Sequence, residues 1–524
     1  MRKKIFGILL AAAVAMAVPA SGQDKAGALQ LSLEECIVKA LRDNLGVAIQ
    51  ILGPEISGEG LSRAQEKYIP SLSFSVSSRN TENATYSYLD ARQDSTIDKT
   101  QNFTFVNASQ TLPTGGTFSL DFTGYKTSTN RTGQTINPRY GTTLRFSFNQ
   151  PLLRNFGLKM SRREILVAVN NLGISEEQLR RTLTDTVYNV ESAYWNVVYS
   201  LENLEVRRQS LRLAQDLLEK NQRSVEVGTM APMDVLSARA EVATREADII
   251  QAETEVESRA DQLKVLLNIP ADGDGAVEVL LPKDKPTFEE KKYDLDEALA
   301  LAVQNRTDLA ISRIGLKTQE LNLSFARNQA LPDLNLSASF SSPGIDGTQL
   351  IYDGNPIDGN IIDTVPGGIG GAIKQTTNFK YPTWNIGLTL SLPLANVFSN
   401  AALAQAKLNM RQAMLEIENQ KQQAYLEIKS AVRSVDANHK RIMAYTTARE
   451  LAEQKLAAEE EKRRVGLSTN YMVLQMQRDL ASARISELNA IIAYNVSLAS
   501  LERSMGTNLK SRNISLGDYA SGSR

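Results

Sequence analysis

Apolar and polar residues alternate strictly along several short stretches of this chain and follow a slower, helical rhythm along several very long ones. Trp384, Ile386, Leu388, Leu390 and Leu392 are apolar, with Asn385, Gly387, Thr389 and Ser391 between them. Leu144, Phe146 and Phe148 alternate with Arg145, Ser147 and Asn149, and Phe118, Leu120 and Phe122 with Ser119, Asp121 and Thr123. Leu72, Phe74 and Val76 do the same, as do Leu334, Leu336 and, more weakly, Phe340. A period of two sends one set of side chains to each face of a sheet. A soluble sandwich produces the same alternation, so the pattern alone leaves the membrane question open. Strands of about nine to eleven residues match a tilted membrane crossing. Tyr381 and Trp384, at the start of one strand, fit an interfacial aromatic belt. The polar stretch 80–100 and the glycine-rich stretch 342–380 read as loops, long on one side of the strands.

The helical rhythm is longest from about Met160 to Glu226, where there is no proline and Gly173 is the lone glycine. Leu179, Leu183, Val187, Val190, Tyr194, Val197, Leu201 and Leu204 are spaced by fours and threes, the spacing of a packed seam. Arg208 interrupts it, and Leu211 and Leu218 resume it. At 1.5 Å per residue such a helix is roughly 100 Å long. A second proline-free and glycine-free run extends from about Asn400 to Arg464. Each long helix meets a glycine, Gly228 or Gly466, and reverses into a second helix, the first of which opens with Pro232, suited to a first turn.

These elements occur twice. Leu33, Glu35, Ala40, Ala48, Ile49, Ala64, Pro70 and Leu72 return as Leu295, Glu297, Ala302, Ala310, Ile311, Ala326, Pro332 and Leu334, each pair 262 positions apart. Val227-Gly228 and Val235-Leu236 return as Val465-Gly466 and Val473-Leu474, 238 apart, so the first copy carries extra residues in between. So long a period means two equivalent halves, not a solenoid. The expected organisation is a signal peptide (1–22), a first structural repeat (23–269), a linker (270–294), a second repeat (295–508) and a polar tail (509–524). The first repeat holds helices within 33–69, strands within 71–149 and a helical hairpin over 156–268. The second holds a helix over 295–331, strands within 333–392 and a hairpin over 397–506.

Composition narrows this further. Arg2, Lys3 and Lys4 precede an apolar run from Ile5 to Val18 and then Pro19-Ala20-Ser21-Gly22, the pattern of a secretory signal peptide cleaved after Ala20 or Gly22. No cysteine marks an N-terminal lipid anchor there, and no later run of about 18 apolar residues offers a transmembrane helix. An exported chain of this kind crosses a membrane, if at all, as strands. Few strands cannot close a barrel within one chain, and an open sheet edge in lipid is costly, so several copies must share one barrel. With 58 basic and 59 acidic residues, nothing points to nucleic acid. Cys36 is the only cysteine, so no disulfide framework forms, and its neighbours Leu33, Ile37, Ala40 and Leu41 make it a buried thiol.

No residue constellation suggests catalysis, a metal or a cofactor. His439 sits between Asn438 and Lys440 and reads as a solvated helix-face histidine. Asp272-Gly273-Asp274-Gly275 lacks the remaining positions of a calcium loop and reads as a turn. Gly367-Gly368-Ile369-Gly370-Gly371 reads as a flexible loop, and Glu459-Glu460-Glu461-Lys462-Arg463-Arg464 as a solvated face near a hairpin tip.

The chain resembles the TolC family of outer-membrane efflux proteins over nearly its whole mature length. The resemblance rests on the paired openings Leu33-Glu34-Glu35 and Leu295-Asp296-Glu297 and the helix ends Ile69-Pro70 and Leu331-Pro332. It rests also on the strand-to-helix junction Phe148-Asn149-Gln150-Pro151-Leu152-Leu153, echoed by Leu392-Pro393-Leu394. The tips Val227-Gly228-Thr229 and Val465-Gly466-Leu467 and the ending Tyr494-Asn495, Leu498, Leu501 and Gly506 complete it. The resemblance implies a mainly α fold with a transmembrane β-barrel portion: long helical hairpins forming a trimeric periplasmic α-barrel, joined to a shared outer-membrane β-barrel. Each chain would give four strands to a twelve-stranded barrel. It implies a homotrimeric, passive exit duct of a tripartite efflux pump or type I secretion system, set in outer-membrane lipid. Its partners would be a periplasmic adaptor (membrane fusion protein) and an inner-membrane RND or ABC transporter. On the same analogy Val227, Gly228, Thr229, Val465, Gly466 and Leu467 are adaptor-docking tips, and Asp234 is a gate candidate as well as a first-turn capping carboxylate.

Two departures stand out. Tyr471-Met472-Val473-Leu474-Gln475 carries no carboxylate where the family's second tip has constricting acids, which removes the basis for strong cation preference. The first copy also has an added strand pair near 102–111 and 117–126, joined by Leu112-Pro113-Thr114-Gly115-Gly116, a tight-turn signal. Pseudo-equivalence of the copies favours an outward extension of two barrel strands over an added pair within a larger barrel. The competing reading of the whole chain is a structural or adhesive trimeric coiled-coil envelope protein, which has no need of the duplicated helix–strand–strand–helix order.

Overall fold

The computed structural model describes residues 29–85, 94–228, 231–270, 280–392 and 397–515, without the side chains of 397–399. The signal segment, Thr229, Asp272 to Gly275, Pro393-Leu394 and everything beyond residue 515 lie outside the described residues. In chain order the elements are β1 (Leu29–Leu31), α1 (Leu33–Asp43), α2 (Leu45–Gln65), β2 (Ser71–Ala84), β3 (Ser95–Thr111), β4 (Thr117–Thr129) and β5 (Ile136–Pro151). Next come α3 (Leu158–Ser161), α4 (Arg163–Glu226), α5 (Pro232–Leu266), β6 (Leu280–Pro282), α6 (Leu295–Asn305), α7 (Thr307–Gln329), β7 (Asp333–Tyr352) and β8 (Ile361–Val365). The chain ends with α8 (Ile369–Thr377), β9 (Thr383–Ser391), α9 (Val397–Arg464), α10 (Asn470–Met505) and α11 (Asn508–Ser511).

The compact units are not the two repeats. One unit takes the chain up to Leu45, Thr186–Lys292 and Ser434–Ser500; the other takes Gly46–Asp185, Tyr293–Arg433 and Leu501 onward. Both repeats contribute to both units, because α4 and α9 each run from one unit into the other.

The helix openings have local causes. Ser32 accepts from the Glu35 amide while the Glu35 carboxylate accepts from the Ser32 amide, a reciprocal capping box; Asp294 accepts from the Glu297 amide in the second copy. The helices expected within 33–69 and the helix expected over 295–331 divide at equivalent places. Asn44 and Arg306 both take extended backbone angles, and their side chains leave the helix for partners elsewhere. Asn44 donates to the Leu266 carbonyl, and Arg306 reaches Asp308 and Glu427. Hydrophobic spacing shows nothing of such a break, since the helical phase resumes one residue later.

In the first unit α4 buries Val187, Val190, Tyr194, Val197 and Leu204. Past Leu204 the seam differs from the expectation. Ser210, Ala214, Leu217 and Asn221 are buried, whereas Leu211 and Leu218 flank them. Two of the four are polar, so an apolar template slips by one residue there. Parallel β1 and β6 pair Leu29 with Leu280, tying the linker to the start of the chain. Asp284 in that linker accepts from the Leu33 amide and from the Tyr194 hydroxyl, both at 2.8 Å.

The second unit holds one antiparallel sheet in the order β2-β3-β4-β5-β7, with β9 and then β8 one after the other along the remaining edge of β7. Three sequence expectations are corrected. Within the expected loop 80–100 the described residues are mostly strand, since β2 runs to Ala84 and β3 starts at Ser95; much of 342–380 is β7, β8 and α8. Among the described residues the sheet holds six long strands, and the short β8, rather than the four strands per chain expected. The added pair is not an outward extension: β3 and β4 lie in the sheet between β2 and β5, with β4 paired from Thr117–Asn149 to Thr127–Arg139. Alternation identifies a strand but not its neighbour, which explains why the sequence misplaced the pair.

The glycine run 367–371 is also not a loose loop. Gly368 precedes α8, whose first turn contains Gly370 and Gly371. A Cβ on Gly371 would lie 1.7 Å from the Asp346 carboxylate, which accepts from the Gly347 and Gly368 amides. Glycine is required here so that α8 can approach β7.

Candidate functional site

Two surfaces have functional geometry, one in each unit. In the sheet, cross-strand register gathers one chemistry on each face. Leu72, Ala108, Leu120, Phe146, Phe340 and Trp384 lie along one hydrogen-bonded row, with Phe118, Phe148, Ala338 and Ile386 in the next. Leu334, Leu336, Leu388 and Leu390 continue this face toward the helices at the β7–β9 edge, and Val76 and Phe103 continue it the other way at the β2–β3 edge. The apolar band therefore climbs diagonally across the strands, as expected where strands tilt through a membrane. The band is uncovered: Val76 is 76%, Trp384 72%, Ile386 67% and Leu388 63% exposed. In a sandwich a second sheet would bury this face.

The opposite face is built of hydroxyls and amides. Ser73, Asn107, Asp121, Arg145 and Ser341 share a sheet face with Ser337, Ser339, Asn385 and Thr389. They bond to one another across strands, as in Ser73 to Asn107 at 3.2 Å and Ser75 to Thr104 at 2.8 Å. A sheet oily on one side and wet on the other is suited to a barrel wall with lipid outside and water inside. Phe379 beyond α8 packs on Phe340 of the apolar face at 5.7 Å between ring centres.

In the first unit the hairpin turns are made by Gly228 (φ +75°) and Gly466 (φ +80°), left-handed positions where a side chain is strained. Val227, Val465 and Leu467 flank them and are 73%, 59% and 79% exposed. The second turn is braced by its own charge run. The Glu459 carboxylate accepts from the Ser468 hydroxyl and pairs with Lys462 at 3.1 Å, while Arg463 donates to Asn470. Within a run whose Glu460, Glu461, Lys462 and Arg464 are solvated as expected, Glu459 and Arg463 serve the turn; Ser468 and then Lys462 hold the Glu459 carboxyl below its ordinary range.

Asp234 stands in the first turn of α5, half-buried, and its side chain makes no hydrogen bond or ion pair among the described residues. The polar network lies further along the helix, on residues the sequence reading missed. Arg245 is almost fully buried and donates to Glu241 at 3.0 Å and to the Ser210 carbonyl of α4 at 3.3 Å. Arg478 of α10 comes within 3.7 Å of the same Glu241 oxygen, so one carboxylate links the two hairpins. Burial pulls the Arg245 guanidinium below its ordinary pKa, and Glu241 offsets only part of this. A polar cleft of about 410 Å³ opens beside them, lined by Arg207, Arg245, Arg478, Glu241 and Asp248. The available signal was that Arg245 falls at helical spacing with Ala238, Val242 and Ala252, on the face that the helix buries.

Among the described residues no group of acids, histidines and cysteines is arranged to hold a metal. His439 is not the solvated residue expected: it is half-buried, edge-on to Phe288 at 5.4 Å. Cys36 is fully buried, and burial followed by the charges of Glu35 and Asp284 pushes its thiol up to about 12.

Residues 118–268 and 298–507 match the family model described as outer membrane efflux protein. The chain belongs to that family. It is a TolC-family efflux channel protein of the outer membrane, with a periplasmic portion. It is similar to the outer membrane protein TolC of Vibrio cholerae, 24% identical over 335 residues that cover 64% of this chain and 70% of that one. It is similar also to TolC of Escherichia coli, 23% identical over 336 residues covering 64% of each chain, so the match spans less than two thirds of the latter protein. In fold it resembles the Campylobacter jejuni CmeC outer membrane channel, with a TM-score of 0.64 at 15% identity over 93% of this chain and 90% of that one.

Proposed function

We propose that the protein is a passive outer-membrane exit duct, built from three copies, that conducts substrates delivered by an inner-membrane RND or ABC transporter through a periplasmic adaptor. The observation that carries this reading is the sheet with one bare apolar face, one hydroxyl-lined face and two unpaired edges. A single chain cannot leave those edges open in lipid, and a ring of copies closes them. The exposed apolar residues beside Gly228 and Gly466 support the two tips, Val227, Gly228 and Thr229 with Val465, Gly466 and Leu467, as the adaptor-docking surface. Asp234, a first-turn carboxylate whose side chain has no partner among the described residues, is available to a network between copies at the gate. The Glu241–Arg478 contact holds the hairpins together behind it.

Reconstitution of the purified oligomer into a planar bilayer tests the proposal. Discrete, long-lived conductance steps are expected, and trimers that insert without ever conducting would overturn it. Alanine at Val227, Val465 and Leu467 together should abolish cross-linking to the adaptor while leaving conductance intact.

A further inference from the structure

The strand count per chain sets the size of the pore, and here it is six. Taken from the helix side, β2 runs away from the helices, β3 returns, β4 runs away, β5 returns, β7 runs away and β9 returns. The ladder has no gap, and the added pair is full length: β3 and β4 are joined from Thr111–Thr117 to Asp98–Thr129. Its aromatic residues belong to the same outer face as the rest of the band. Phe103, Phe105 and Phe122 pack together there, with 4.9 Å between the rings of Phe105 and Phe122. Its polar residues belong to the inner face, where Asn107 bonds both Ser73 and Asp121. The hairpin is part of the wall.

The two free edges are complementary. β9 ends and β2 begins at the helix side, so β9 of one copy and β2 of the next are antiparallel when laid side by side. Both have bare apolar residues on one face and small polar residues on the other, so the seam can continue both faces unbroken. An even number of strands per copy keeps the whole ring antiparallel.

We infer that three copies close an eighteen-stranded barrel, β9 to β2 at each seam, in place of the twelve-stranded barrel implied by four strands per chain. This rests on the trimeric duct proposed above. With strands about 4.8 Å apart and tilted about 40°, eighteen strands enclose a ring roughly 36 Å across between backbones, against roughly 24 Å for twelve. The barrel would then impose no size limit on bulky hydrophilic cargo that the helical part admits.

The wider wall creates a specific need, and the structure meets it. β2, β5, β7 and β9 each adjoin a helical segment, whereas β3 and β4 end in the turn 112–116 with no helix beneath. That turn is fastened to its neighbours' helix junctions. Thr114 donates from its hydroxyl to Gln150 at 2.7 Å, and its carbonyl accepts from the Gly157 amide at 3.0 Å. The Leu112 carbonyl accepts from Ser161, and Gln110 donates to the Tyr68 carbonyl, each at 3.4 Å. A Cβ on Gly115 would lie 2.5 Å from the Asn155 carbonyl, so the turn is seated against the junction.

Single cysteines at Val106 and Phe122 (outer face) and at Asn107 and Asp121 (inner face) test this in the full-length protein in lipid vesicles. The inference expects a membrane-impermeant maleimide to label the inner pair at least tenfold faster, and lipid-phase quenchers to reach only probes on the outer pair. Equal aqueous labelling at all four would make the hairpin an external appendage and overturn the inference. Electron cryomicroscopy of the same trimers should resolve eighteen strands with β9 next to a neighbouring β2. A conducting trimer with twelve strands in its wall sinks this inference alone, while the absence of any closed ring sinks the duct reading with it.

Discussion

Tyr194 and Tyr494, which are not equivalent positions of the two repeats, hold one linker between them. Tyr194 lies on α4 and donates to the Asp284 carboxylate at 2.8 Å; Tyr494 lies on α10 and donates to the Glu289 carbonyl at 2.9 Å. Both rings are fully buried, and each hydroxyl also accepts a linker amide, from Asp284 and from Lys291. Residues 280–292, which have little regular structure of their own, are thereby fixed to a first-repeat helix and a second-repeat helix.

Removing either hydroxyl should loosen the linker by different amounts. Tyr194→Phe strips a charge-assisted bond and exposes the Asp284 carboxylate to an apolar neighbour, a loss of about 2 kcal/mol. Tyr494→Phe removes neutral bonds only, about 1 kcal/mol. Chemical denaturation of the detergent-solubilised protein, or protease cleavage at the linker, should rank the variants in that order.

Glu241 should matter more than its partner Arg478. Glu241→Ala leaves the buried Arg245 guanidinium without its counter-charge, a cost of about 3 kcal/mol. Arg478 is about half exposed at its side chain, so Arg478→Ala costs less than about 1 kcal/mol. In single-channel records Glu241→Ala is expected to lengthen open events, because the carboxylate linking the hairpins is gone.

Acid should weaken helices in both units through their paired carboxylates. Arg42 and then Lys39 hold the Asp43 carboxyl well below the usual range, and Arg484 lowers that of Glu453. Burial would raise Asp308, but Arg306 overrides this and leaves it low. A carboxylate with a depressed folded pKa contributes fully above its unfolded value near about 4 and loses that contribution as pH falls through the folded value. Thermal melts should therefore be flat from about pH 8 to 5 and decline below about 4. Glu453 is solvent-exposed and its share is small.

The native thiol should be silent. With Cys36 fully buried and pushed up to about 12, an impermeant maleimide at pH 7.5 should leave the folded protein unmodified and react fully once it is denatured. Rapid labelling of the native form would contradict the packing of α1.

The long hairpins, the glycine turns at 228 and 466 and the amphipathic strands were legible in the sequence, because each is a short-range consequence of residue type. A glycine must take φ near +75°, and alternation must place Phe146 and Arg145 on opposite faces. The seam was legible through Leu204 for the same reason, and failed where Ser210 and Asn221 carried it. The breaks at Asn44 and Arg306 were hidden because their causes, Leu266 and Glu427, are more than a hundred residues away.

What the sequence determined by itself, then, is the set of parts and the oily and wet side of each, since periodicity acts within one element. The tertiary structure decided which parts are neighbours. It placed β3 and β4 inside the sheet between β2 and β5, seated α8 on β7 through Gly371 and Asp346, and brought Arg478 to Glu241. Each of these depends on hydrogen bonds and close approaches between segments whose separation along the chain leaves no periodic trace.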